Sequence, residues 1–118
     1  ADFHRNNSGL SVRVVSLEKI YQEFSSGKQD IAAIRNLIKY VYWNASAPNK
    51  RVKYVNLFGD ASYDYKNRVP NNNNIVPVFH GFNPQASETN NTSNFSLFSS
   101  FMSDDFFGMM DNGEGTMT

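Results

Sequence analysis

An α/β fold, a mostly parallel sheet flanked by helices, is predicted by three observations. Strand-like, helix-like and strand-like stretches succeed one another between residues 10 and 58. The longer helical stretch between the two strands carries one apolar stripe, the mark of a helix that buries a single face. The second strand-like stretch, residues 54–58, is apolar and β-prone apart from Asn56 and stops at Gly59, as buried parallel strands do. A crossover of more than about a dozen residues makes such a unit a right-handed βαβ, so residues 10–15 and 52–58 are expected to run parallel. Three regions result: a βαβ core over 10–58, a loop-rich part over 66–100 and an acidic strand and turn over 103–115.

The first residues, 1–6, read as the end of a helix, stopped by Asn7, Ser8 and Gly9. Residues 10–15 are Val-rich and alternate, which predicts a strand with Arg13 at its rim. Ser16 is placed to cap a short helix in which Leu17, Ile20, Tyr21 and Phe24 fall at helical spacing. Ser25, Ser26 and Gly27 break it. Asp30 can cap the next helix, whose Ile31, Ile34, Leu37, Ile38, Val41 and Tyr42 share one face while Arg35, Asn36 and Lys39 lie on the other. That helix is expected to end near Trp43 and Asn44, before a turn at Ala47, Pro48 and Asn49. Burial of Ile34, Leu37 and Ile38 against the sheet is expected to follow.

After Tyr65 the composition turns polar. Pro70 and the run Asn71, Asn72, Asn73 and Asn74 forbid a central strand and predict a surface loop. Residues 75–79 read as a short strand, confined to an edge or an end by Pro77. Residues 81–100 form a second long polar loop with Phe82, Phe95, Leu97 and Phe98 as anchors, and loops of that length are usually functional or mobile. Residues 106–110 read as a short strand, and Asp111, Asn112 and Gly113 as a hairpin-type turn.

The candidate site residues are acids and one hydroxyl. Asp60, Ser62 and Asp64 follow a strand directly, where loops of open α/β sheets collect ligands and catalytic groups, and Gly59 lets the chain turn there. They are candidates to line a cleft. The alternative is that Asp60 caps the following turn and Asp64 is a solvated loop acid. Asp104, Asp105, Asp111 and Glu114 supply oxygen donors of the kind Ca²⁺ prefers, although their spacing is not that of an EF-hand; otherwise they bond local backbone. A structural Ca²⁺ is therefore the one candidate cofactor, and none is required.

Composition excludes other chemistry. Lys and Arg number 11 and so do Asp and Glu, giving no basic footprint for nucleic acid or an anionic membrane. There is no cysteine, hence no disulfide, thiolate nucleophile or thiolate ligand in these residues. His4 and His80 are the only histidines and lack zinc-ligand spacing. No nucleophile elbow, phosphate-binding loop or dinucleotide fingerprint occurs. Five Asn-X-Ser/Thr triplets begin at Asn6, Asn44, Asn90, Asn91 and Asn94, as chance produces in so Asn-rich a chain. No apolar run reaches membrane-spanning length, and the first residues have neither an initiator Met nor the pattern of a signal peptide. The chain reads as part of something longer.

Three segments together resemble the front part of a gingipain-type cysteine peptidase domain, family C25. They are residues 18–27 followed by Ala33, Ile34, Arg35 and Asn36; Phe58, Gly59, Asp60, Ala61, Ser62, Tyr63, Asp64 and Tyr65; and Ser103, Asp104, Asp105, Phe106, Phe107 and Gly108. Within the family, the resemblance is to the sortases of the type IX secretion system of Bacteroidetes. It implies a caspase-like α/β fold and a catalytic His and Cys in later segments that match nothing here; His80 precedes Gly81 but lacks a glycine before it. Asn56 departs from the apolar residue the family would place in that strand. The resemblance further implies a parent at the cell surface acting on exported cargo, with this chain as inactive scaffold needing the remainder of the domain. The expected fold is thus an incomplete domain with unpaired sheet edges, prone to self-association. Two readings from other classes stay open: a non-catalytic α/β interaction module, and a metal-dependent hydrolase using Asp60, Asp64 and Asp104.

Overall fold

The computed structural model describes residues 1–82, 100–111 and 113–114. Helix α1 (Asp2–Ser8) ends on Gly9, whose φ of 61° is the left-handed conformation a glycine stop supplies. Helix α2 (Leu17–Phe24) starts after Ser16, which has the extended backbone of a cap although its hydroxyl makes no capping bond. Helix α3 (Ile31–Trp43) is capped as the sequence predicts: Asp30 Oδ1 accepts from the Ala32 N–H at 2.8 Å. A 3-10 turn, Pro48–Lys50, follows.

The core is a helical one. Ile20 of α2 meets Ala33, Ile34 and Ile38 of α3, and Phe106 and Phe107 close the cluster. Ala33, the most buried of these, lets α2 approach α3 because it has almost no side chain to hold it off. Leu37 is half-buried, so the stripe is turned toward Ala33 and Ile34 rather than centred on Leu37.

The two aromatic residues reach the core from a 3-10 helix, Asp105–Gly108, where the β-propensity of residues 106–110 predicts a strand. Local polar bonds decide the difference: the Asp105 N–H donates to Ser103 Oγ at 3.1 Å, and the Phe107 N–H to the Asp104 carbonyl at 3.0 Å. These close a turn before any ladder can form. Among the described residues the sheet is two-stranded and antiparallel, β1 (Phe79–Phe82) with β2 (Ser100–Ser103), in the register Phe79 opposite Ser103 and His80 opposite Met102. Pro77 has no N–H to give a ladder, which accounts for the start of β1 at Phe79 rather than at 75.

Neither 10–15 nor 52–58 forms a ladder among the described residues. Both run without turn or bend. Residues 10–12 are bonded to α1 instead: the Leu10 N–H donates to the His4 carbonyl at 3.3 Å and Arg5 Nη2 to the Val12 carbonyl at 2.6 Å. Val14, Tyr54 and Phe58 are left 79%, 77% and 92% exposed. Residues 83–99 of the loop predicted over 81–100, with Phe95, Leu97 and Phe98 and the triplets at Asn90, Asn91 and Asn94, lie outside the described residues, as does Asn112 of the predicted turn; Gly81 and Ser100, the ends of that loop, belong to β1 and β2. No helix among the described residues is long and apolar enough to cross a membrane.

Candidate functional site

Residues 60–75 make a loop whose ends meet. The Asp60 carbonyl accepts from both the Ile75 and Val76 N–H groups at 2.9 Å, the closure that defines a compact Ω-type loop. Gly59 permits it. Its φ is 146°, and a Cβ there would lie 2.8 Å from Ile75 Cγ2, so the returning arm of the loop occupies the space of a side chain.

Within the loop, Asp64 is the hub rather than the solvated acid of the alternative reading. It is 9% exposed. Its Oδ2 accepts from the Val69 N–H at 2.6 Å, its carbonyl accepts from Asn72 Nδ2 at 2.7 Å, and its N–H donates to Ser62 Oγ at 3.1 Å. The Ser62 N–H in turn donates to Asn74 Oδ1 at 3.0 Å. Asp60 is exposed, and its Oδ2 accepts from Asn73 Nδ2 at 3.0 Å. Asn72, Asn73 and Asn74 of the run thus brace the loop. Asn67 and Asn71 take φ of 53° and 59°, the left-handed region that asparagine tolerates better than most residues. Composition alone marks this run as polar surface; the signal that could have found its role is the density of amide side chains beside two aspartates with few other partners.

Two clefts flank the core where residue 57 crosses it, and Leu57, Asp104 and Phe107 border both. One, of about 310 Å³, lies between Gly59 and Ala61 on one side and Met102, Ser103 and Asp104 on the other. Asp104 therefore faces the entrance of the braced loop, while the Asp60 carboxylate is turned to Asn73. The other, of about 450 Å³, follows residues 52–57 with Ile38, Phe107 and Met110 as its floor and Lys53, Asn56 and Asp104 at its rim.

The acids assigned to a cation take separate paths. Asp105 starts the 3-10 helix, and Glu114 Oε2 accepts from the Asp111 N–H at 2.8 Å. Among the described residues no three His, Cys, Asp or Glu side chains are placed to hold a metal, and this covers both Asp104, Asp105, Asp111 and Glu114 and the trio Asp60, Asp64 and Asp104. His4 packs edge-on against Phe3 with ring centres 5.4 Å apart, and His80 stands exposed on β1.

Aromatic and cationic groups tie the block together. Phe106 stacks on Phe79 at 4.8 Å, and the Arg35 guanidinium lies 4.6 Å from the Phe106 ring centre. Arg51 sits against both Tyr42 and Trp43, and the Trp43 indole N–H donates to the Met110 carbonyl at 3.1 Å. One ionisable group is displaced: burial pushes the Tyr21 phenol above its ordinary 10.0, and the Asp30 carboxylate adds to the shift. Its hydroxyl is buried without a hydrogen-bond partner among the described residues.

The model of peptidase family C25 matches residues 1–118. No curated protein and no solved structure matches the chain.

Proposed function

The chain belongs to peptidase family C25, a family of cysteine peptidases, and on that premise we propose that it is the scaffold part of a sortase of the PorU kind. Such an endopeptidase removes C-terminal sorting domains from proteins exported by the type IX secretion system, at the outer membrane of Bacteroidetes. The observation that carries the reading is the family match over residues 1–118, joined to the ordered trio of segments at 18–36, 58–65 and 103–108. With it goes a mostly parallel sheet in which 10–15 and 52–58 are neighbours.

The reaction is attack of a thiolate on a peptide carbonyl, with a histidine moving the proton and an oxyanion hole holding the developing charge. This chain has no cysteine to supply the thiolate. Its contribution is positional. The braced loop with Asp60, Ser62 and Asp64 forms a firm wall at the end of residues 52–58, and Asp104 faces it across the smaller cleft.

Incubated with a peptide spanning a sorting-domain junction, the 118-residue chain is expected to leave it intact, whereas the parent protein cleaves it and loses that activity on thiol alkylation. Cleavage by the chain alone, persisting after repurification, would place the chemistry on different residues. Parent activity indifferent to alkylation would remove the thiolate mechanism.

A further inference from the structure

We infer that the outer turn of the braced loop, residues 63–68, docks an acidic, extended segment of a protein partner. The inference leans on the peptidase reading in one respect, that the partner is a polypeptide, and it does not touch the site of the chemistry. Two hydrogen bonds and a shared acceptor build the turn. The Asn67 N–H donates to the Asp64 carbonyl at 3.1 Å, which puts Tyr65 and Lys66 at the corners of one β-turn, and the Asn72 N–H donates to the Val69 carbonyl at 3.3 Å to make a second. Arg68 lies between them in the chain. The buried Asp64 carboxylate, bonded to the Val69 N–H, ties the first turn to the second.

What the turn presents is cationic and aromatic. Lys66 and Arg68 are exposed, Tyr63 is 70% and Tyr65 67% exposed, and the Lys66 ammonium lies 5.4 Å from the Tyr65 ring centre. Neither cation is in an ion pair among the described residues. The loop's own acids are engaged elsewhere, the Asp60 carboxylate with Asn73 and that of Asp64 with the Val69 N–H. Two cations at alternate positions are thus left without an anion on a backbone already ordered, so a ligand does not bear the entropy of arranging it. Tyrosine adds rigid contact area at a cost of two rotatable angles.

Number and spacing choose the ligand. Anionic membranes are held by clusters of about four to eight Lys and Arg, and duplex nucleic acid by about six to ten phosphate contacts, so two cations in a chain of zero net charge are too few for either. A polypeptide needs fewer. In an extended segment alternate side chains share a face about 7 Å apart, and residues 66 and 68 are themselves alternate. Glu or Asp at every second position of such a segment therefore meets Lys66 and Arg68 in turn, with the acid's aliphatic stem along the Tyr65 ring. A polypeptide is also what a chain of family C25 handles.

The probe is a labelled hexapeptide with glutamate at its second and fourth positions, compared with the same peptide carrying glutamine there. Titrated into the chain, the acidic peptide is expected to saturate with a Kd of about 1 mM or below and to shift the amide signals of residues 63–68, while the glutamine peptide binds about fivefold more weakly or worse. Lys66→Glu/Arg68→Glu should lower affinity for the acidic peptide about tenfold, and a peptide with lysine at both positions should bind that variant, a rescue that a merely structural role would not give. Helix content and the amide signals outside the loop check folding. The inference is overturned by no saturation up to about 5 mM, by equal binding of the two peptides, or by binding that survives Lys66→Glu/Arg68→Glu. It is overturned too by tighter binding to anionic lipid vesicles than to the peptide, or by a concentration-dependent dimer that the double variant abolishes, which would give the surface to a second copy. Parent activity indifferent to thiol alkylation would remove the peptidase reading and leave the peptide binding as it stands.

Discussion

Helices α2 and α3 bury Ile20, Ala33, Ile34 and Ile38 around Phe106 and Phe107, whereas residues 60–75 bury a carboxylate and spend their short polar side chains on backbone groups. The first region is held by apolar packing, which is non-directional and shared over many contacts. The second is held by bonds that each need one donor opposite one acceptor. The contrast predicts different responses to damage: loss of volume in the block should be felt by the whole chain, and loss of an acceptor in the loop should be felt where it sits.

The largest effect expected is that of Ile34→Ala, which empties a 3% exposed site beside Ala33, a neighbour too small to fill it. It should cost about 2–5 kcal/mol, read from denaturant melts. Leu37→Ala, at a half-buried position, should cost less. Equal midpoints for Ile34→Ala and the parent chain would show that the block is not the cooperative unit.

Asp64→Ala comes next. Removing the buried acceptor of the Val69 N–H should cost about 1–3 kcal/mol. The loss should show as faster amide exchange at Val69 and quicker proteolysis within 60–75, with helix content kept. If Asp64→Ala instead lowers the global melt as far as Ile34→Ala does, the two regions unfold as one, and the contrast between them fails.

The smallest effect has the opposite sign. Tyr21→Phe deletes a buried hydroxyl without a partner and should raise stability by up to about 1 kcal/mol. It should also change the alkaline limb of the pH profile. Because the folded phenol titrates above 10.0 and the unfolded one near it, the unfolded chain loses its proton first; stability is whole below that pH and falls as pH rises through the folded value. Tyr21→Phe should remove that share of the loss. Melts from pH 8 to 11 that superimpose for the two chains would mean that the phenol is solvated.

The helical block was legible because its signals are local and periodic. Ser16, Asp30 and Gly9 stand where caps and stops belong, and the spacing of Ile20, Ile34 and Ile38 marks a buried face before any neighbour is known. The loop was legible only in position. That Asp60 and Asp64 follow Gly59 could be read; that Asp64 is buried and Asp60 exposed could not, because the partners that decide it, Val69, Asn72 and Asn73, are supplied by the way the chain returns. Residues 106–110 show the same limit from the other side. Their aromatic, β-prone character is real, but Ser103 and Asp104 close a 3-10 turn in front of them and turn both phenylalanines inward.

By itself the sequence determined helices α2 and α3 with their caps, the stop of α1 at Gly9, the family, the lack of a thiol, and the two β-prone stretches at 10–15 and 52–58. Only the tertiary structure decided which acid is buried, that β1 and β2 run antiparallel, and that α1 holds residues 10–12 by bonds from Arg5 and to His4. The physical reason is one of range. A helix satisfies its backbone within four residues and declares its buried face through its own period. A strand or a polar loop is completed by groups far away in the chain, and which of them arrives is settled by the fold as a whole.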